Sequence, residues 1–578
     1  RSTLFPYTTL FRSYLYIPQN ATKDTPAPGV VTIEGWYNNK EMQDLYSIEL
    51  ARRGYVVLAL DLHSHGDSES LSIAELYDGA VGVDGAVQLI ASLPYVDTAR
   101  IGVTGHSSGG TAANMAVEID NSRETPLIAA VLQQAGDWQD DTGGDHSGDY
   151  GSRSVGIIAS THDDFYFGTY DDAGNMLTNP AAFMETDGAK KFLNFNEDGF
   201  AGIAEGGKYY TRDFDGKTAY RVIYRPNMIH PLVAFSTTCV GYAVDFFDTT
   251  LGAPKPLPAS DQIWPIKAVF NSLGVIGLLI FMVSFTLVLL DTPVFSALRS
   301  GEIVQPAPVQ DSGAKARYWV LLVIGAVFSG SSFLFCMNTV YSKTTNFFVQ
   351  TGPLTIGTWA ALCGVFAIFC SAVFYGAYGK KHGWSARRAG LYLNLEQLWK
   401  TIALAVIVIV VSFGLVFAAH YFFQVDYRMY VVAFKTFGAD KVLIALRYLP
   451  FFLLFYVMNS ISANCFNYNT IGGKNGNILI FAFFNALGAI FVVASQYIYF
   501  YATGYQLYGL TEGQRIGPIW LFPCMVLLFV TPIMSRIIYK RTRNPYIAGL
   551  INAMFIVMIS CSNTTTILGG GELIATTF

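Results

Sequence analysis

Apolar residues follow two different rhythms on either side of about residue 260. Before it, short runs rich in Val and Ile alternate with stretches whose apolar residues recur at helical spacing. After it, apolar runs of about 20 residues repeat, the length that crosses a bilayer. In the first part, strands are predicted in GVVTIEG (29–35), at the start of GYVVLALDLHSHGDSES (54–70), from Ile101, and in IAAVLQQA (128–135), SVGIIAS (154–160) and AYRVIYR (219–225). MQDLYSIELARRG reads as a helix ending at Gly54, a C-cap signal, and a second helix is expected over 82–93. Strands alternating with helices predict an α/β fold with a mostly parallel sheet, right-handed crossovers and flanking helices. Ligands of such sheets bind at the carboxyl ends of the strands.

The second part predicts an all-α polytopic domain of about eight spans, at 268–290, 318–340, 355–378, 401–423, 442–463, 477–501, 518–538 and 546–566. Loops after the odd-numbered spans hold twelve basic residues: Arg299, Lys315, Arg317, Lys380, Lys381, Arg387, Arg388, Lys400, Lys474, Lys540, Arg541 and Arg543. The opposite loops hold five, Lys343, Arg428, Lys435, Lys441 and Arg515. That asymmetry puts the first set in the cytoplasm and the first 260 residues on the extracytoplasmic side, the expected location being a bacterial plasma membrane. Asn271, Asn459, Asn464, Asn485, Gln496 and Asn563 are expected to serve interhelical hydrogen bonds. Arg447 and His420, near span ends, are expected to reach the interface. No acidic pair marks a proton relay, and no inverted repeat suggests a transporter.

Composition refines this picture. The chain is 52% hydrophobic and 14% charged with a net charge of −5, an average over two unlike halves, and it lacks the basic cluster of a nucleic-acid surface. Only Cys239 precedes the spans, so no disulfide framework is expected in the first part. Residues 3–13, TLFPYTTLFRS, resemble a translated sequencing adapter, so 1–13 are set apart as non-native and the N-terminus is read as truncated. The expected division is then 14–250, a proline-rich linker at 251–265 (GAPKPLPASD at its centre) that spaces the first domain off the bilayer, and 266–578.

Chemistry concentrates in IGVTGHSSGG (101–110), a strand, a glycine-flanked turn centred on Ser107, and the start of a helix. A G-x-S-x-G turn holds its serine in a strained conformation, and only small neighbours let strand and helix approach it. With Arg53-Gly54-Tyr55 before VVLALD and His65-Gly66-Asp67-Ser68 after it, residues 14–250 resemble the α/β-hydrolase family, in particular its esterase, dienelactone-hydrolase and dipeptidyl-peptidase-like branches. The resemblance implies a triad in chain order serine, acid, histidine: Ser107 as nucleophile, Asp163 as acid with Asp164 as the alternative, and His230 as base. It also implies an oxyanion hole from the backbone of Ser108 and of Trp36, or of its neighbour Tyr37. Glu34-Gly35 departs from the family's usual His-Gly before that donor. His106 reads as a packing or pocket-wall residue.

The aspartate- and glycine-rich stretch 136–152 matches no calcium-loop spacing and is expected to be a solvated loop. The segment 164–217 is expected to cap the acyl pocket. No cofactor or metal is called for. The expected partners are a small-molecule or lipid ester and membrane lipids. The leading function is a membrane-bound serine hydrolase acting through an acyl-enzyme on esters, with amides as the alternative bond. The alternatives are a transporter or lipid-handling protein with an accessory hydrolase module, and a binding-only pseudoenzyme.

Overall fold

The computed structural model describes residues 11–139, 144–171, 175–309 and 311–572. Its first part is built on an eight-stranded sheet of order β1-β3-β2-β4-β5-β6-β8-β7. The strands are β1 (Ser13–Tyr16), β2 (Ala27–Ile33), β3 (Val56–Leu60), β4 (Val96–His106), β5 (Ile128–Gln134), β6 (Ser154–Ile158), β7 (Tyr210–Phe214) and β8 (Lys217–Tyr224). From β3 through β8 neighbours pair in parallel, and the two edge strands β1 and β7 pair antiparallel. Strands buried on both faces read as continuous apolar runs, which is why they carry no alternation in the sequence.

The pleat sorts their side chains between two layers. Val31, Ile33, Val103, Val131 and Ile157 pack toward α2 (Val83–Ala91) and α3 (Ser108–Asn121). Val30, Val57, Leu132, Ile158 and Val222 pack toward α1 (Asp44–Arg52) and α4 (Thr237–Thr250). The predicted strands and helices are all present, within a few residues at their ends, and Gly54 closes α1 in the left-handed region, φ +91. Of residues 1–13, those to 10 lie outside the described residues, whereas Phe11 is buried in the core and Ser13 pairs with Leu60.

Among the described residues, eight helices long and apolar enough to cross a membrane follow: α5 (Trp264–Leu290), α6 (Ser312–Thr339), α7 (Thr351–Phe374), α8 (Leu395–Phe423), α9 (Ala439–Ile461), α10 (Gly473–Thr503), α11 (Glu512–Thr542) and α12 (Pro545–Ser562). They match the eight expected spans and form a membrane-embedded region. The last run, broken in sequence by SCSNTTT, ends its helix at Ser562. The chain beyond it returns to the first domain, where Thr566 N–H donates to the Ser64 carbonyl and Leu568 N–H to that of Leu71.

The two parts are packed directly on one another. Loops after the even-numbered spans all touch the first domain: the Tyr341 and Tyr37 hydroxyls are 3.2 Å apart, Arg428 donates to Asn39 at 2.9 Å, and Gln506 donates to the Asp164 carbonyl at 2.6 Å. Loops after the odd-numbered spans pack among themselves on the far face, as where Trp384 Nε1 donates to the Cys465 carbonyl. The linker is therefore no free spacer. Arg53, fully buried, donates to the carbonyls of Leu257, Pro258 and Asp261 and holds it against α1.

Buried lysines also have acidic partners here. Lys435, 1% exposed, sits 3.2 Å from Asp67 and 3.4 Å from Glu41, while Lys40 reaches Asp61 at 2.6 Å. Several span asparagines bond between helices: Asn459 donates to Asn485 at 2.6 Å, and Asn464 to Ser535 at 2.9 Å. Arg536, which the sequence does not single out, is buried in α11, donates to Asn464 and Asn477, and lies over the Tyr468 ring.

Candidate active site

The central strand β4 runs out at His106, and α3 begins at Ser108. Ser107 between them has φ 55 and ψ −127, a sparsely populated conformation that costs about 1–3 kcal/mol unless its surroundings impose it. Here they do. Ser107 N–H donates to the Gln134 carbonyl at 2.8 Å, and the Ser107 carbonyl accepts from Gly110 N–H at 2.7 Å. A Cβ on Gly105 would lie 2.2 Å from the Gly109 carbonyl, and one on Gly109 would lie 2.2 Å from the Glu34 carbonyl. The two glycines are thus required by the crossing of strand and helix.

Asp163 and Asp164 follow β6, and His230 follows β8, so the carboxyl ends of neighbouring parallel strands bring them together. His230 Nδ1 donates to Asp163, 2.9 Å from Oδ1 and 3.0 Å from Oδ2. The same carboxylate accepts from the backbone N–H of Phe165 and Tyr166 at 3.0 and 2.9 Å and from Ser160 Oγ at 3.0 Å, contacts that fix its orientation toward His230. Asp164 lies differently. It accepts from the backbone N–H of His230 at 3.3 Å, and burial, followed by the neighbouring Asp163 charge, holds its pKa well above the usual carboxylate range.

His106 forms part of the wall, its ring 4.8 Å from that of His230, with Nε2 donating to the His230 carbonyl at 3.3 Å. Burial, and then the adjacent His230, lower its pKa to about 3, so it is neutral and unsuited to proton transfer near neutrality. Phe165 and Tyr166 pack their rings on His230 at 4.9 and 5.8 Å and restrict its orientation.

Ser107, Ser108, Trp36, Tyr37, His106 and His230 all line one cavity of about 260 Å³. Ser108 opens α3, so its N–H belongs to the first turn, where helices have no internal acceptor. Trp36 stacks on His65 at 4.6 Å. Burial lowers the His65 pKa to about 4, and its Nε2 meets Thr565 Oγ1 of the C-terminal segment at 3.0 Å. Glu34 turns away from the cavity: it is fully buried and accepts from Leu62 N–H at 2.7 Å, and burial with the nearby Asp61 raises its pKa well above the usual range. A Cβ on Gly35 would lie 2.9 Å from the His106 carbonyl, so the departure at Glu34 leaves the close approach at position 35 intact.

The rest of the wall comes from the membrane domain. Trp359 of α7, Phe455 and Tyr456 of α9, Trp520 of α11 and Tyr430 of the hairpin Tyr427–Met429 and Val432–Phe434 all face the cavity. Tyr430 is anchored through its hydroxyl to the Pro231 carbonyl, one residue past His230, at 2.7 Å. The expected cap, 164–217, contributes only Phe165 among the described residues; its aromatic side chains, such as Phe183 and Phe192, pack into the core instead. Part of the stretch 136–152, residues 140–143, lies outside the described residues. Among the described ones no group of three or more His, Cys, Asp or Glu side chains is placed to hold a metal.

Residues 29–257 match the family model described as "Alpha/beta hydrolase family". No curated protein matches the chain. Solved structures similar to it include a 2,6-dihydroxy-pseudo-oxynicotine hydrolase, 15% identical over 43% of this chain and 67% of that one with a TM-score of 0.28. They also include dienelactone hydrolase from Anabaena variabilis, 15% identical over 42% of this chain and 92% of that one with a TM-score of 0.27. A third is Est1E from Butyrivibrio proteoclasticus with ferulic acid bound, 14% identical over 42% and 95% with a TM-score of 0.27.

Proposed function

We infer, from residues 29–257 matching the alpha/beta hydrolase family and carrying its fold, that this is a membrane-bound serine hydrolase that cleaves carboxylic esters. The observation that carries the reading is a convergence: a serine in a strained strand-to-helix turn shares a cavity with His230, whose far nitrogen bonds to the fully buried Asp163 carboxylate. In the proposed cycle, His230 Nε2 takes the Ser107 proton as Oγ attacks the ester carbonyl, and returns it to the leaving alcohol when the C–O bond breaks. Water, activated by the same imidazole, then releases the acid from the acyl-serine and restores the hydroxyl. Asp163 fixes the Nδ1–H tautomer and stabilises the imidazolium. The Ser108 N–H, with that of Trp36, faces the oxygen as it becomes negative.

The basic loops after the odd-numbered spans lie on the face opposite the hydrolase, which supports an extracytoplasmic active site. The test of function is turnover of p-nitrophenyl esters by the full-length protein in detergent, with Ser107→Ala and His230→Ala alongside. Loss of turnover in both variants supports the reading; turnover that survives Ser107→Ala overturns it.

A further inference from the structure

A second cavity, of about 430 Å³, lies within α6, α7, α9 and α10 on the side of the membrane domain away from the hydrolase. It shares two wall residues with the first, Cys363 of α7 and Phe455 of α9. One face of α7 passes through both: Gly352 and Trp359 line the first, Cys363 both, and Phe366, Cys370 and Phe374 the second. Steps of three and four residues are what one helix face presents. The stripe Phe452, Phe455 and Asn459 of α9, with Ser462 directly after it, faces it across the same two spaces. From Gly352 to Phe374 is roughly 33 Å at 1.5 Å per residue, about the thickness of a bilayer's hydrocarbon core.

The polarity is graded along this line. Ser107 and His230 stand at one end, and mainly apolar and aromatic side chains form the middle, including Phe328 stacked on Phe366 at 4.0 Å, with Asn459 and Asn485 among them bonded to each other at 2.6 Å. Arg317, His382 and Asn467 stand at the far mouth. A compact ester would fill only the first space. Cys363 and Phe455 are the wall that the two spaces have in common, and a long unbranched chain laid along the helices would bury its methylenes in both by passing between these two side chains.

We propose that the two cavities form one acyl-chain site, so that the substrate is an ester of a long unbranched fatty acid, its carbonyl at Ser107 and its chain running between Cys363 and Phe455 into the second cavity. This rests on the serine-hydrolase reading. It makes the membrane domain the specificity element of the enzyme, because each methylene withdrawn from water adds about fourfold in affinity.

The test compares kcat/KM for p-nitrophenyl butanoate and hexadecanoate in the full-length protein, wild type and Cys363→Trp. The indole at position 363 lowers the hexadecanoate-to-butanoate ratio at least tenfold, about what the burial of two methylenes is worth. A ratio that stays within twofold while both esters are cleaved overturns the proposal. A second measurement needs no substitution and decides the matter if the tryptophan variant does not fold. Ser107 is phosphonylated with a methyl or a hexadecyl fluorophosphonate, and alkylation of Cys363 by N-ethylmaleimide is quantified by peptide mass spectrometry. The hexadecyl adduct slows Cys363 alkylation at least fivefold relative to the methyl adduct, whereas equal alkylation overturns the chain site. Absence of any adduct on Ser107 instead overturns the serine-hydrolase reading beneath it.

Discussion

Asp163 and Asp164 are adjacent and both fully buried, yet their substitution by asparagine should have opposite consequences. The Asp163 carboxylate accepts from His230 Nδ1, two backbone N–H groups and Ser160, so every donor around it requires an oxygen acceptor. An asparagine there either turns its NH₂ toward Nδ1 or loses a backbone donor. In the first case the imidazole takes the tautomer that carries its proton on Nε2, where it cannot accept one from Ser107. Acid-to-amide changes of this kind cost about 10⁴ in kcat, close to 5.5 kcal/mol of transition-state stabilisation. Asp164 is held toward its neutral form by burial, and an amide in its place keeps an oxygen for the His230 N–H. Asp164→Asn is therefore expected to retain kcat within about threefold, since it replaces one neutral acceptor by another. The assay is butanoate ester turnover by both full-length variants, with thermal unfolding as the control for folding. Asp164→Asn losing as much activity as Asp163→Asn, or more, would refute the reasoning.

Three further expectations follow from the packing. Gly109→Ala sets a Cβ 2.2 Å from the Glu34 backbone carbonyl, a clash no side chain can relieve; a loss of about 3 kcal/mol or more is expected, read as failure to accumulate or a sharply lowered Tm. Lys435→Met leaves Glu41 and Asp67 with less opposing charge at the seam between the domains. It should cost about 3 kcal/mol in thermal unfolding, part of it recovered by adding Glu41→Gln. Burial raises the Asp137 pKa to about 6, so its contribution to stability is present below the ordinary carboxylate range and is lost as pH rises through 6. Asp137→Asn should nearly match the wild type near pH 4 and gain on it as pH rises, by roughly 3 kcal/mol in all, levelling off above about pH 6; a difference independent of pH would contradict this.

The hydrolase strands, the Ser107 turn and the eight spans were all legible, because each is written in local periodicity or in a motif whose glycines answer to backbone contacts a few residues away. The roof of the site was not. Trp359, Tyr430 and Trp520 reach the cavity from hundreds of positions beyond Ser107, and an apolar span does not record which of its faces meets lipid and which meets a cavity. Segment 164–217 looked like the cap because loops after the sheet often are, but here the membrane domain already occupies that place. Arg428, Lys435 and Lys441 read as loop charges for the same reason: sequence gives the sign of a charge and not its partner. In the structure Lys435 and Lys441 lie buried, Lys435 beside Asp67, and Arg428 is largely covered beside Asp426.

The central claim is that Ser107 is an activated nucleophile inside a cavity shared by the two domains. Its most direct test is labelling of the full-length protein by a fluorophosphonate, with the site of the adduct read by peptide mass spectrometry in wild type and in His230→Ala. The account predicts an adduct on Ser107 that forms at least a hundredfold more slowly without His230, on the scale expected of a general base. No adduct in folded wild-type protein, or equal labelling of the two, would contradict it.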